Sequence, residues 1–268
     1  MRYGFRGTLA TVTALAATLP ATVLGQTTNP ERIGGEPNLN GIWQALNSAH
    51  WNLEAHSAQA LEDFWQLGAI AAIPAGQSVI TGDGKIPYLP EAAAQRDENR
   101  AGWPGTDPET YCYLPGIPRA TYMPHAFQIF QAGDGDDILF VYEYASANRL
   151  VEMDEHKEPP VDTWMGQSNG SWDGDSLVIE TTGFNGMTWL DRAGNHHSSA
   201  LRVTERFTRI SDNHLQYEAT LEDPNTYSQP WTISMPLYRR IEPNAQLLEH
   251  KCVPFAEELL YKDLELPE

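Results

Sequence analysis

The chain is poor in basic residues. It carries 17 Lys and Arg against 36 Asp and Glu, which gives a formal net charge of −19. A surface of this sign repels phosphate backbones and anionic lipid headgroups. The balance therefore argues against nucleic-acid binding and against insertion or docking of the mature chain at a membrane, and it is typical of a soluble exported protein.

The common catalytic signatures are also absent from the sequence. There is no G-x-S-x-G nucleophile elbow, no P-loop and no dinucleotide fingerprint, and no H-x-H, HExxH or EF-hand pattern marks a metal site. No cofactor is therefore predicted. These absences weigh little against catalysis in a β-barrel, because barrel sites are assembled from residues on many strands.

Only two cysteines are present, Cys112 and Cys252. In an oxidising compartment an even pair is most simply one disulfide, and there is no CxxC motif to suggest a metal or redox site. Closing so long a loop is expected to stabilise the fold by roughly 4 kcal/mol. The pair would join the segment "YCYLPG" to a C-terminal strand, "LLEHKC".

The first 25 residues have the pattern of a signal peptide. Arg2 and Arg6 precede a short apolar stretch, and small residues at Val23 and Gly25 suit positions −3 and −1 of a cleavage site. The apolar stretch is too short to span a bilayer comfortably, and no Cys follows for a lipid anchor. The sequence predicts a periplasmic or secreted protein of unknown oligomeric state.

Two parts follow in the predicted mature chain. Residues 26–124 read as a leader, short helices and a proline-rich segment, with helical composition in "SAQALEDFWQL" and "LPEAAAQRDENR". Residues 125–268 contain strand candidates separated by turn signals, near 125–131, 137–144, 148–153, 163–172, 176–182, 200–210, 214–222, 230–240 and 246–252. This spacing indicates an antiparallel sandwich or an up-and-down barrel of about 8–10 strands, and the length of the later strands favours the barrel.

Three stretches carry a resemblance to a known family. They are "YCYLPGIPRATYMPHAFQI", "WMGQSNGSWDGDSLVIETTGFNGMTWLDRAGNHHSSALRVTERFTR" and "EDPNTYSQPWTISMPLYRR". The chain resembles a family of exported bacterial proteins of lipocalin-like character. The resemblance implies a lipocalin-like barrel and export, and it carries no activity and no catalytic residues. The family has "GHPHS" where this chain has "GNHHS" at 194–198, so His197 keeps its place and His196 inherits no role.

The strand "LRVTERFTR" at 201–209 raises a question of its own. Its apolar residues alternate with polar ones, yet Glu205 falls on the apolar side. Matching the apolar sides of this strand and the next places Glu205 opposite Ala219, and a small side chain there leaves space above the carboxylate. The pattern predicts that Glu205 projects into the barrel.

A buried carboxylate must be paired or neutral. The same alternation of apolar and polar positions, applied to their own strands, predicts that Arg149, Arg239 and His125 also face inward. One interpretation is an ion pair between Glu205 and an arginine that closes one end of the barrel. The other is a catalytic acid or base whose pKa is shifted by apolar surroundings and a nearby cation.

The loop 183–199 forms a second candidate cluster. It contains Asn185, Trp189, Asp191 and His197, and loops of this length between strands are often functional. Asp191 and His197 are candidates for an oriented acid–base pair. His197 and Glu205 would lie about 26 Å apart along an extended strand, so they form no direct dyad unless the loop folds back.

These considerations leave three functional hypotheses. The first is a cofactor-independent enzyme of the lyase or isomerase type that acts on a small organic molecule in the barrel cavity. The second is a lipocalin-like carrier of a small hydrophobic or aromatic ligand. The third is a metal-dependent enzyme with a site formed by His125, His197 and Glu205.

The predicted residues divide by role. The predicted catalytic residues are Glu205, His197, Asp191 and His125. The predicted substrate-binding residues are Arg119, Tyr122, Arg149, Trp164, Asn185, Trp189, Tyr217, Trp231 and Arg239. The apparent excess of inward charge favours the enzyme over the carrier, because each inward charge weakens the binding of a hydrophobic ligand.

Overall fold

A computed structural model describes Met1 and residues 31–61, 72–133 and 135–254. The predicted signal peptide, residues 1–25, lies outside these ranges except for Met1. Among the described residues, no helix combines the length and apolar character that crossing a membrane requires.

Strands dominate the described residues. They are β1 (Arg32–Ile33), β2 (Glu36–Pro37), β3 (Gly41–Ala45), β4 (Gln59–Ala60), β5 (Ala72–Ile73), β6 (Phe127–Phe130), β7 (Ile138–Tyr142), β8 (Asn148–Glu152), β9 (Gln167–Asp173), β10 (Ser176–Thr182), β11 (Arg202–Ser211), β12 (His214–Glu222) and β13 (Trp231–Arg239). The α-helices are α1 (Pro90–Gly102) and α2 (Arg119–Tyr122), and short 3-10 helices span Pro108–Tyr111 and Tyr144–Ser146.

Nine of the strands close into a barrel. Their order around it is β10, β11, β12, β13, β3, β6, β7, β8, β9 and back to β10. All neighbours are antiparallel except β8 and β9, which pair in parallel. The prediction of a mainly antiparallel β-barrel of about 8–10 strands is confirmed, and the architecture is consistent with a lipocalin-like barrel.

The N-terminal part does more than pack on the barrel. Strand β3 lies between β13 and β6 and pairs with both. The expected boundary at residue 125 therefore misplaces one strand. Strand β3 has the apolar residues of a buried strand, with Trp43 completely buried, but it is short and isolated from the later strands in sequence.

Two local predictions also need correction. The stretch 246–252, expected to be a strand, has no regular secondary structure, and Gln59 and Ala60, expected within a helix, form strand β4. Most of the remaining expected helix lies outside the described residues. The helix predicted over "LPEAAAQRDENR" is confirmed as α1, which begins at Pro90, where a proline costs no hydrogen bond.

The alternation in β11 has the predicted orientation. Val203, Glu205 and Phe207 are buried, whereas Arg202 is exposed and the intervening threonines are half-buried. The register places Glu205 opposite Ala219 of β12, as the sequence predicts. The interior is filled by large side chains from all sides, among them Trp43, Phe127, Phe140, Phe207 and Tyr217.

The predicted disulfide is present. Cys112 and Cys252 are bonded with their Cα atoms 5.6 Å apart, and they are separated by 140 residues in the sequence. The bond holds the irregular C-terminal segment against the turn that follows the first 3-10 helix. This segment lies at one end of the barrel, beside Tyr144.

Candidate functional site

Inside the barrel, Glu205 forms a closed ion pair. Its Oε2 accepts a hydrogen bond from Arg149 Nη1 at 2.5 Å, and its Oε1 accepts one from the Tyr217 hydroxyl at 2.8 Å. Glu205 has no exposed surface and Arg149 is 4 % exposed. Of the two interpretations of Glu205, the structure therefore contains the ion pair.

Aromatic rings pack against the two side chains that hold Glu205. The Arg149 guanidinium lies 4.6 Å from the centre of the Phe140 ring, and the Phe207 ring packs 4.9 Å from that of Tyr217. The expectation that Glu205 faces a ligand cavity is wrong, because its carboxylate is completely buried and is held by Arg149 and Tyr217.

The loop residues Asp191 and His197 have separate partners. Asp191 is fully buried and accepts hydrogen bonds from the backbone of Leu53, Ala193 and Asn195 and from the Asn195 side chain. These contacts fix the loop. Burial outweighs them and raises the pKa of Asp191 to about 6.

His197 is buried beside Thr188. Its Nδ1 lies 2.8 Å from the carbonyl oxygen of Ser198 and therefore donates, so the Thr188 hydroxyl donates to its Nε2 at 2.5 Å. Burial lowers the pKa of His197 to about 4. The predicted pairing of Asp191 with His197 is wrong, because each side chain forms hydrogen bonds with other residues.

The predicted substrate-binding residues do not converge on one place. Arg119 forms a buried ion pair with Asp107 and Tyr122 donates to the carbonyl of Leu190, while Arg149 and Tyr217 contact Glu205. Trp164 stacks on Tyr113, Asn185 accepts from the backbone of Met187, Trp189 pairs with His196, Trp231 packs edge-on against Tyr227, and Arg239 lies over Trp43. Most of these residues therefore stabilise the fold.

The proposed metal site is not formed either. In the described ranges, no group of three or more His, Cys, Asp or Glu side chains is placed to hold a metal ion. His197 and Glu205 are buried with other partners, and His125 lies at the surface of the barrel end. The convergence of His125, His197 and Glu205 is thus contradicted.

His125 lies at a cleft that the sequence did not predict. This end cleft has a volume of about 190 Å³. Its lining residues come from the two 3-10 helices, the residues just before β6, the loop 183–199 and the C-terminal segment. The lining residues are Glu109, Thr110, His125, Tyr144, Arg192, His250, Lys251, Cys252 and Val253. Glu205, His197 and Asp191 do not line this cleft.

Two histidines face each other in the end cleft. The rings of His125 and His250 lie 4.4 Å apart, and Tyr144 contacts both, at 5.7 and 5.3 Å between ring centres. His125 precedes β6, whereas His250 belongs to the irregular C-terminal segment. The site is therefore built from two distant parts of the chain.

Two ties hold His250 in place, one on each side. Glu143 accepts hydrogen bonds from the backbone N–H of Ala126 and of Leu248, which joins the start of β6 to the C-terminal segment. Two residues beyond His250, the disulfide fixes Cys252. His250 therefore sits between two anchored positions, which orients its ring against His125 without regular secondary structure.

The floor of the end cleft is a charged network around Glu109. Its carboxylate accepts hydrogen bonds from Arg119 Nη2 at 2.5 Å and from Arg192 Nε and Nη2 at 2.9 and 2.6 Å. Burial alone would raise the pKa of Glu109, but the attraction of Arg119 and Arg192 outweighs it and lowers the pKa to about 2. Glu109 is therefore a fixed anion rather than a proton carrier.

Two histidines of this region, His125 and His50, have lowered pKa values. Burial, and next the adjacent His250, lower the pKa of His125 below its ordinary value. Burial and then Arg192 lower the pKa of the neighbouring His50 to about 3. By contrast, burial raises the pKa of Tyr144, so its hydroxyl keeps its proton and donates to the carbonyl of Glu109.

Strained backbone clusters around the same cleft. Cys112, Ala145 and Ser146 have φ values of 63°, 51° and 52°, a left-handed conformation that is unfavourable for residues other than glycine. They are neighbours in sequence of Glu109, Tyr144 and the disulfide. Such strain tends to be retained where a site requires it.

The residues that sequence reasoning missed are Glu109, Tyr144, Arg192 and His250. A usable signal was present for two of them, because Glu109 and His250 lie three and two residues before the two cysteines. Bonding the cysteines brings these flanking residues together. The role of Tyr144 depends on a tertiary contact of the loop after β7, which parity does not reveal.

The end cleft has the parts needed for proton transfer. The unprotonated imidazole of His125, half-exposed at the cleft, has a nitrogen that can accept a proton, and a perturbed pKa in such a place is typical of functional sites. The protonated Tyr144 and the fixed charges of Glu109 and Arg192 provide polar surroundings.

Comparison with known proteins adds no further constraint, because no family model, no curated protein and no solved structure matches the chain.

Proposed function

We propose that the protein is an exported enzyme that carries out acid–base chemistry of the lyase or isomerase type on a small organic molecule in the end cleft. The observation that carries this proposal is the His125–His250 pair, with its rings 4.4 Å apart at the mouth of a cleft of about 190 Å³. Because Glu205 is buried and paired inside the barrel, the reaction is assigned to the end cleft instead.

His125 acts as the base in this proposal. Its lowered pKa leaves the imidazole unprotonated at neutral pH, and general bases contribute about 10²–10⁴-fold to rates. The His250 ring packs against that of His125, with ring centres 4.4 Å apart, and Tyr144 stays protonated beside them. The site needs no group other than these side chains to remove and return a proton.

The carrier hypothesis has less support. A lipocalin-like carrier holds its ligand inside the barrel, and here the interior around Glu205 is occupied by Phe140, Phe207 and Tyr217. Export and membership of the resembling bacterial family remain part of the proposal. A disulfide, which oxidising compartments favour, supports a periplasmic or secreted location.

A generic proton-abstraction probe tests the base. In 5-nitrobenzisoxazole, a base removes the C3 proton, the N–O bond breaks and a coloured cyanophenolate forms. We expect the wild-type protein to accelerate this reaction and His125→Asn to lose about 10²-fold of the acceleration. The rate should stay level below pH 6.5, because the pKa of His125 is lowered, and fall only as the imidazole becomes protonated.

His156→Asn provides the matched control. His156 is an exposed histidine paired with Glu158, outside the end cleft, so its replacement should leave the rate unchanged. An equal rate for wild type and His125→Asn, with both proteins folded by circular dichroism, would refute the proposed base. Loss of the rate in His156→Asn would show that the reaction occurs elsewhere on the surface.

A further inference from the structure

A second cleft adjoins the end cleft. This tryptophan cleft has a volume of about 130 Å³ and is lined by Trp51, Asn52, His56, Ser57, Gln59, Ile73, Arg100, Trp103, Arg192 and Ala193. Arg192 lines both clefts, so the two are neighbours. Apart from Arg192, the residues that line the second cleft have no part in the proton transfer proposed above.

Two indole rings shape the tryptophan cleft. The rings of Trp51 and Trp103 lie 5.8 Å apart and are inclined at 60°, which makes an apolar corner. Arg192 lies 4.5 Å from the centre of the Trp51 ring and 5.9 Å from that of Trp103. Such a corner suits a flat ring, which stacks on one indole and meets the edge of the other.

Arg100 gives the corner an unbalanced positive charge. Of the Lys and Arg side chains in the described ranges, Arg100 is the one with neither a carboxylate within 4 Å nor a hydrogen bond. It is an exposed residue in the last turn of α1. In a chain with 36 acidic and 17 basic residues, an arginine left without an acidic partner beside a cleft is available to an anionic ligand.

From this combination we infer that the tryptophan cleft binds an aromatic carboxylate, with the ring in the Trp51–Trp103 corner and the carboxylate on Arg100. The size agrees, because an enclosed apolar cavity of about 150 Å³ accepts benzene. Arginine also binds a carboxylate through two parallel hydrogen bonds. The inference deepens the proposed function and depends on it in one respect: the bound ring belongs to the molecule whose proton is removed at the end cleft.

Calorimetric titration with benzoate and with benzamide tests the inference. The two probes have the same ring and nearly the same shape, but only benzoate is charged. We expect benzoate to bind at millimolar concentrations and benzamide about tenfold more weakly. Arg100→Gln should lower the affinity for benzoate about tenfold and leave that for benzamide unchanged, and stacking should quench part of the tryptophan fluorescence.

Arg96→Gln is the matched control, because Arg96 lies on the same helix but pairs with Asp97 and does not line the cleft. Its affinity for benzoate should equal that of the wild type. Equal binding of benzoate and benzamide, an unchanged affinity in Arg100→Gln, or no binding at all would overturn the inference.

His125→Asn separates this inference from the proposed function. Benzoate binding that persists in this variant supports the tryptophan cleft even if the elimination reaction fails. A loss of benzoate binding in His125→Asn but not in Arg100→Gln would place the anion in the end cleft and refute the inference.

Discussion

The barrel interior and the end cleft contain similar chemical groups in opposite settings. In the interior, Glu205 and Arg149 are joined to each other and covered by aromatic rings. In the end cleft, Glu109 is likewise held by arginines, but the neighbouring His125 and His250 border a cleft. A paired charge is thus a structural element in both regions, and accessibility is what distinguishes the site.

The difference lies in the type of segment that covers each region. The interior is lined by strands, whose alternating side chains close over any space that a small residue leaves. The cleft is lined by a 3-10 helix, loops and an irregular segment held by the disulfide and by Glu143. Irregular segments anchored at a few points leave gaps, and residues with chemical roles are often found there.

The disulfide should have the largest effect on the free energy of unfolding. Replacing Cys112 and Cys252 by serine releases a loop of about 140 residues, which is expected to cost roughly 4–5 kcal/mol. The variant should also lose the probe reaction at denaturant concentrations where the barrel is still folded, because His250 is no longer held against His125. Urea unfolding followed by circular dichroism, compared with the elimination rate, measures both effects.

A variant that lacks the disulfide but retains the full elimination rate would contradict the model of a C-terminal segment fixed by two ties. Reduction of the wild-type protein should reproduce the effect of the serine variant. The interior of the barrel should be unaffected, because the closed sheet needs no cross-link to exclude water.

The interior ion pair should respond to substitution in a different way. Glu205→Ala leaves Arg149 charged, buried and without its acceptor, and breaking such a pair costs about 3–5 kcal/mol. Arg149 Nε and Nη2 already lack hydrogen-bond partners, so the pair is incompletely satisfied. A double variant, Glu205→Leu with Arg149→Met, should therefore recover most of the stability, as urea unfolding will measure.

If the elimination rate falls in the folded double variant, the reaction takes place in the barrel interior and not in the end cleft. An unchanged rate, together with the instability of Glu205→Ala, would confirm that the interior charge is structural. The cleft and the interior are then separable by mutation.

Much of the fold follows from the sequence, because strand alternation is a local property. The pairing of Glu205 with Ala219 and the inward direction of Arg149 both follow from parity. Parity does not say whether a buried position faces a hole or a side chain from the opposite wall. Phe140 lies on β7, and its ring packs against Phe207 of β11 and against the Arg149 guanidinium that pairs with Glu205.

The end cleft was less accessible to sequence reasoning. His125 was predicted from the parity of β6, yet it lies outside that strand and half-exposed. His250 lies in a segment expected to be a strand, which is irregular instead. Its position is set by the disulfide and by the hydrogen bond from Leu248 to Glu143, contacts between residues more than 100 positions apart.

The buried loop histidine should give a smaller, pH-dependent effect. Burial lowers the pKa of His197 to about 4 in the folded protein, whereas its ordinary value is 6.5. Between these values the unfolded chain binds the additional proton. The stability that His197 contributes is therefore complete above pH 6.5 and is lost as the pH falls towards 4, by about 3 kcal/mol in total.

His197→Gln removes this titration. The difference in unfolding free energy between the wild type and His197→Gln should narrow by up to about 3 kcal/mol from pH 6.5 to pH 4, in urea titrations at each pH. A constant difference for His197→Gln would mean that this loop is open to water and closer in character to the end cleft than to the interior.

The smallest effect is expected on the outer surface, where Trp164 stacks on Tyr113 with ring centres 4.7 Å apart. The sequence predicts Trp164 as a ligand-binding residue, but it lines neither the end cleft nor the tryptophan cleft. Trp164→Ala should lower the unfolding free energy by about 1 kcal/mol and leave benzoate binding and the elimination rate unchanged. A loss of either would show that the functional surface extends from the clefts onto the outer wall.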